Sequence, residues 1–113
     1  MRYQDLFING NKKFLNVYIA DKFWARLRGW LGKKQMPEDG LLILPCNSVH
    51  TFLMKFPIDV AFLNFKNQVI SLHENVAPNK ILWPVKEAKG VLELPPGTIA
   101  RLAIKAGDFV TLT

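Results

Sequence analysis

The densest chemistry in this sequence lies between Cys46 and Asp59, where a thiol, an imidazole, a thioether and a carboxylate fall within 14 residues. Cys46, His50 and Met54 are spaced four apart, and their sulfur and nitrogen donors suit Cu(I) or Zn(II). On a straight strand all three share a face, but each step of four residues spans about 13 Å. One ion therefore reaches them together only where the chain bends. Cys46 and Met54 also read as ordinary core hydrophobes, so the weak pair Cys46 and His50 is not counted as a metal site and no cofactor is expected.

His50 with Asp59 has the makings of a general-base pair, because imidazole titrates near neutrality and a carboxylate fixes its tautomer. The nucleophile would be Cys46, Ser48 or Thr51, none of which sits in a recognised elbow. The competing reading gives Asp59 to the backbone N–H groups where Phe56-Pro57-Ile58 turns into a strand. His50 is then a partly buried, hydrogen-bonded histidine. Two further titratable groups lie on apolar strands. His73 faces away from Glu74 in an alternating strand, and Glu93 lies opposite Leu92 and Leu94, where solvent or a salt bridge is expected. The candidate ligand-binding set is His50, Thr51, Met54, Asp59 and Glu93.

A second constellation is basic. Asp21 caps an amphipathic helix expected over 21–31, whose Phe23, Trp24, Leu27, Trp30 and Leu31 fall on one arc. Lys22, Arg26 and Lys33 line the other side, and with Arg28 and Lys34 they form a candidate anion-binding stripe for a phosphate backbone or an anionic membrane surface. A solvated basic back on a helix packed against a sheet has the same pattern. Gly29 and Gly32 do not have the spacing of a phosphate loop.

The elements that must position these groups are mostly extended. Leu6-Phe7-Ile8, the Asn9-Gly10 pair and residues 13–20 read as a hairpin, since Asn-Gly accepts the positive φ of a tight primed turn. Residues 41–44 form a short apolar run ended by Pro45, which suits a buried strand. Residues 49–54, 59–65 and 69–76 are rich in β-branched and aromatic residues, with a turn at Lys66-Asn67. Ala77-Pro78-Asn79 and Trp83-Pro84 mark a loop, residues 91–94 a strand closed by Pro95-Pro96-Gly97, and residues 109–112 a last strand. Ile99, Leu102 and Ala103 have helical spacing, so a short helical turn is expected over 98–104. Short strands at close intervals and two brief helices predict a mainly β domain, α+β by content, built as a compact barrel-like or two-sheet unit.

Size and composition set the outer bounds. With 113 residues, half of them hydrophobic, the chain is expected to fold as a single domain over 1–113 without staples. Fifteen Lys and Arg against nine Asp and Glu give a net charge of +6, which favours anionic partners and solubility rather than any fold. Cys46 is the only cysteine, so no internal disulfide forms. The N-terminus lacks a signal-peptide core, and no run approaches the roughly 20 apolar residues of a membrane span. A cytoplasmic protein is expected.

From Gly29 to Asp108 the chain resembles the family known as domain of unknown function 192. The resemblance is carried by Arg28-Gly29, by Gly40-Leu41-Leu42, by the continuous run from Pro45 to Leu63, and by Pro78. It continues through Val91-Leu92-Glu93-Leu94-Pro95, Gly97 and the closing Gly107-Asp108. It implies a small, mainly β domain of a kind found both inside and outside cells, with no established activity to carry over. The chain departs from the family pattern at Ala103, where glycine is common, at Pro96 beside Pro95, and in showing no leader segment.

The functional expectation is a small non-enzymatic binding module with a contact face around His50 to Asp59, for an unidentified ligand or protein partner. One alternative is a small metal-dependent or His/Asp-based hydrolase. Another is electrostatic binding to nucleic acid or a membrane surface through the basic helix.

Overall fold

The computed structural model describes residues 3–20 and 38–113. The helix expected over 21–31, and with it Lys22, Arg26, Arg28, Lys33 and Lys34, lies outside the described residues. Among those described, nine strands and one short helix follow in order. They are β1 (Tyr3–Ile8), β2 (Asn11–Ala20), β3 (Gly40–Ile43), β4 (Val49–His50), β5 (Ile58–Leu63), β6 (Val69–Val76), β7 (Ile81–Leu82), β8 (Gly90–Leu94), α1 (Thr98–Arg101) and β9 (Val110–Leu112). Seven strands make one sheet in the order β6-β5-β8-β3-β2-β1-β9, and β4 with β7 makes a second.

Local chemistry accounts for the first hairpin. Asn9 and Gly10 have φ of 51° and 82°, the two positive values a two-residue primed turn requires, and β1 pairs antiparallel with β2 around them. β2 and β3 are parallel neighbours, while β3, β8, β5 and β6 pair antiparallel in turn.

β5 and β8 are central strands buried along their whole length. They read as unbroken apolar runs because both faces of the sheet are covered. The register sorts the faces: Val60, Glu93, Leu41 and Tyr18 lie across from one another on one. Asp59 opposite Leu94, and Ala61, Leu92, Leu42 and Ile19 in a row, occupy the other. The first face packs on Cys46, Val49, Met54 and Phe56. The second packs on Leu6, Leu15, Val17, Ile99 and Ile104.

The strand order does not close into a barrel. A single antiparallel bridge, Gln68 with Phe109, nevertheless ties the start of β6 to the start of β9. Val69 N–H donates to the Asp108 carbonyl at 2.8 Å and Val110 N–H to the Asn67 carbonyl at 2.8 Å. Asn9 joins the same node, donating from Nδ2 to Asp108 Oδ1 and accepting from Phe109 N–H at Oδ1.

Two expectations are corrected here. The strand read over 49–54 stops at His50, because the chain then turns: Thr51 accepts the Met54 N–H at 3.3 Å and Leu53 has a φ of 67°. Within the stretch read as a loop, Ile81 and Leu82 pair with His50 and Val49, adding a strand that the sequence reading did not place. The helical turn near 98–104 is present as α1. It closes with Ala103 at φ 54°.

Candidate functional site

Of the five residues nominated as a ligand-binding set, the two carboxylates fall on opposite faces of the main sheet. Asp59 is wholly buried on the second face. Its Oδ1 accepts the Asn75 N–H at 2.8 Å and its Oδ2 the Ile99 N–H at 2.9 Å, so the side chain fixes the end of β6 and the start of α1 to β5. Met54 is buried among the apolar side chains of the first face.

Thr51 is wholly buried too and acts as a junction. Its Oγ1 donates to the Ala77 carbonyl at 2.7 Å and accepts the Lys80 N–H at 2.9 Å. Its backbone N–H donates to the Lys80 carbonyl and its carbonyl accepts from Asn79 N–H, each at 2.9 Å. These bonds clamp the turn after β4 against the segment leading into β7.

Cys46 is buried with its thiol donating to the Ser48 carbonyl at 3.0 Å, as befits a small core hydrophobe with a weak donor. Among the described residues, no three His, Cys, Asp or Glu side chains gather as ion ligands. His73 is hydrogen-bonded to Ser71 Oγ at 2.8 Å and meets Phe62 edge-on.

Glu93 departs from its expected place at solvent or in a salt bridge. It is 9% exposed, because β8 is a central strand and the side opposite Leu92 and Leu94 is itself covered. Burial alone lifts its pKa from 4.5 to about 7. Removing a carboxylate from water disfavours the charged form.

The outward surface near His50 is apolar. His50 is partly buried and stacks on Phe52 with ring centroids 5.0 Å apart and planes 26° apart. Beside it Phe52, Leu53, Ile81 and Trp83 are exposed by 41, 73, 43 and 73%. They are neighbours because His50 pairs with Ile81 and because of the Thr51 clamp. Sequence reading missed these four, since apolar residues in β-rich text are taken for core. The available signal was Pro57 and Pro84 beside them, which limit regular strand.

A separate open cleft of about 620 Å³ lies on the β1–β2 side, lined by Asp5, Lys12, Lys13, Phe14, Glu38, Asp39, Pro95 and Arg101 among others. Both charge signs face it, and Lys12 Nζ stands 3.5 Å from Asp5 Oδ2. None of the nominated residues lines it. No helix among the described residues is long and apolar enough to cross a membrane.

Against known proteins, the model of the DUF192 family, described as an uncharacterized ACR, matches residues 5–112. A UPF0127 protein of Pyrococcus furiosus is 33% identical over 105 residues, covering 88% of each chain. A UPF0127 protein of Thermococcus kodakarensis is 29% identical over 102 residues, which is 86% of this chain but 64% of that protein. The chain thus spans less than two thirds of that relative. A crystal structure of a protein of unknown function from Novosphingobium aromaticivorans superposes with a TM-score of 0.81 at 21% identity, over 96% of this chain and 84% of that one. A Sinorhizobium meliloti structure described as a "putative transcription regulator" also gives 0.81, at 25% identity over 98% and 94%.

Proposed function

The chain belongs to the DUF192 family, and we propose that it acts as a non-enzymatic binding module whose contact surface is Phe52, Leu53, Ile81 and Trp83, with His50 at their base. The observation carrying this reading is the exposure of four large apolar side chains on two segments that hydrogen bonds hold side by side. Single exposed hydrophobics are ordinary, but a contiguous group marks a contact site. The network of bonds around Thr51 pre-shapes the patch, so little conformational freedom is lost on docking.

This reading moves the contact face from Thr51, Met54 and Asp59, whose side chains serve the fold, to their outward neighbours. It also draws support away from a His/Asp hydrolase, since both Asp59 oxygens are taken by backbone N–H groups on the far face of the sheet. We place the module in the cytoplasm as a single domain, on the strength of its one free cysteine and its compact size.

A photo-cross-linking residue at position 83, with controls at the more exposed Phe14 and the similarly exposed Phe65, tests the surface in cells. Adducts confined to position 83 are expected. Equal yields at all three positions, or none at 83, would overturn the assignment.

A second reading, nucleic-acid binding, draws on the charge of +6 and on the description of the Sinorhizobium protein. It requires oligonucleotide affinity that falls steeply with salt.

A further inference from the structure

We propose, resting on the reading of this patch as a contact surface, that its occupant is the interface of an anionic lipid bilayer. Residues 51–57 and 77–86, which together build the patch, carry Lys55, Lys80 and Lys86 and no carboxylate. All three lysines are exposed. The nearest acidic side chains in sequence are Asp59, which is wholly buried, and the exposed Glu74 and Glu87, which flank the second segment.

The side-chain types are those that a bilayer interface takes up. Leu53 stands in a turn with φ 67° and, like Trp83, is 73% exposed. Ile81 and Phe52 lie beside it, the latter held against His50. Apolar tips of this kind enter the boundary between headgroups and acyl chains. Trp83 belongs at headgroup level, where indole is favoured, and lysines close to the surface are drawn to anionic lipid.

The other occupants fit less well. Protein interfaces are depleted in lysine, and a twofold contact with a second copy would set three lysines against three. Single-stranded nucleic acid would stack on Phe52 and Trp83 but would leave Leu53 and Ile81, the aliphatic half of the patch, unused.

The test is co-sedimentation of the intact chain with phosphatidylcholine vesicles, with and without phosphatidylserine. Preferential binding to the anionic vesicles is expected, weakened tenfold or more in the Leu53→Ser/Trp83→Ser variant and unchanged in Phe14→Ser. Lys55→Glu/Lys80→Glu/Lys86→Glu should erase the preference for phosphatidylserine. These positions are exposed, so each variant is first shown to melt like the wild type. No vesicle binding, or binding indifferent to Leu53 and Trp83, overturns the bilayer assignment. So does an oligonucleotide or a self-associated dimer that depends on the same two residues. Protein adducts at position 83 without vesicle binding would remove the bilayer and leave the contact surface standing. The absence of any adduct there would remove the surface itself.

Discussion

Asp59 and Glu93 are the two buried carboxylates of the sheet, and they show how environment divides one chemistry. Asp59 accepts two backbone N–H groups, bonds that compensate for its burial. The Glu93 carboxyl makes no side-chain hydrogen bond or ion pair among the described residues, and burial alone raises its pKa to about 7. The consequence for stability has a definite sign. Below pH 4.5 Glu93 is protonated whether the chain is folded or not. Between 4.5 and about 7 the unfolded chain gives up the proton and the folded chain keeps it, so stability falls as pH rises. Above that window both states are ionised and the loss is complete. At roughly 1.4 kcal/mol per pH unit the loss comes to about 3 kcal/mol. Urea unfolding at about pH 5 and pH 8 should show it in the wild type, and Glu93→Gln should reduce the difference by that amount. An identical pH dependence in the variant would mean that Glu93 is solvated or paired.

At the scale of elements, α1 ends in a conformation its residue does not favour. Ala103 takes φ 54° where the helix closes through Leu102 and Ile104 N–H bonds to Thr98 and Ile99. A Cβ in the left-handed region is strained, and glycine is the usual residue at this position. Ala103→Gly should therefore stabilise the fold by about 0.5–1 kcal/mol, read as a higher melting temperature, and a lower one would refute the strain. Ala103 also shows how much the sequence disclosed: its departure from the family's glycine was visible, but not the φ that gives it meaning. The Asn9-Gly10 hairpin and the full extent of β6 were legible because turn chemistry and alternation are local. The segment after His50 was not, since Val49, Thr51 and Phe52 have strand propensity, while the turn at Leu53 and the distant bonds of Thr51 to Ala77 and Lys80 bend it away. β7 was hidden by its length of two residues, too short for any period. The face of Glu93 was read correctly and its fate was not, because one strand's pattern does not say whether both faces are covered. The apolar patch stayed hidden for the converse reason, as nothing local separates an exposed Leu53 from a buried one.

For the whole molecule, the decisive feature is that one sheet separates two apolar layers. Phe62 on β5 belongs to the first and Leu92 on β8 to the second, and both are fully buried. They sit on adjacent strands one register step apart, Phe62 opposite Val91 and Ala61 opposite Leu92, so they share a backbone scaffold while facing opposite ways. If the layers were independent, a cavity in one would melt that side alone. The shared central strands argue otherwise, because β5 and β8 hold their shape only while both faces are covered. Phe62→Ala and Leu92→Ala should each cost about 3–5 kcal/mol, a large part of the 5–15 kcal/mol typical of a whole domain. Each should also leave a single cooperative transition in which tryptophan fluorescence and far-ultraviolet dichroism coincide. Non-coincident transitions in either variant would show that the sheet divides the protein into separable halves.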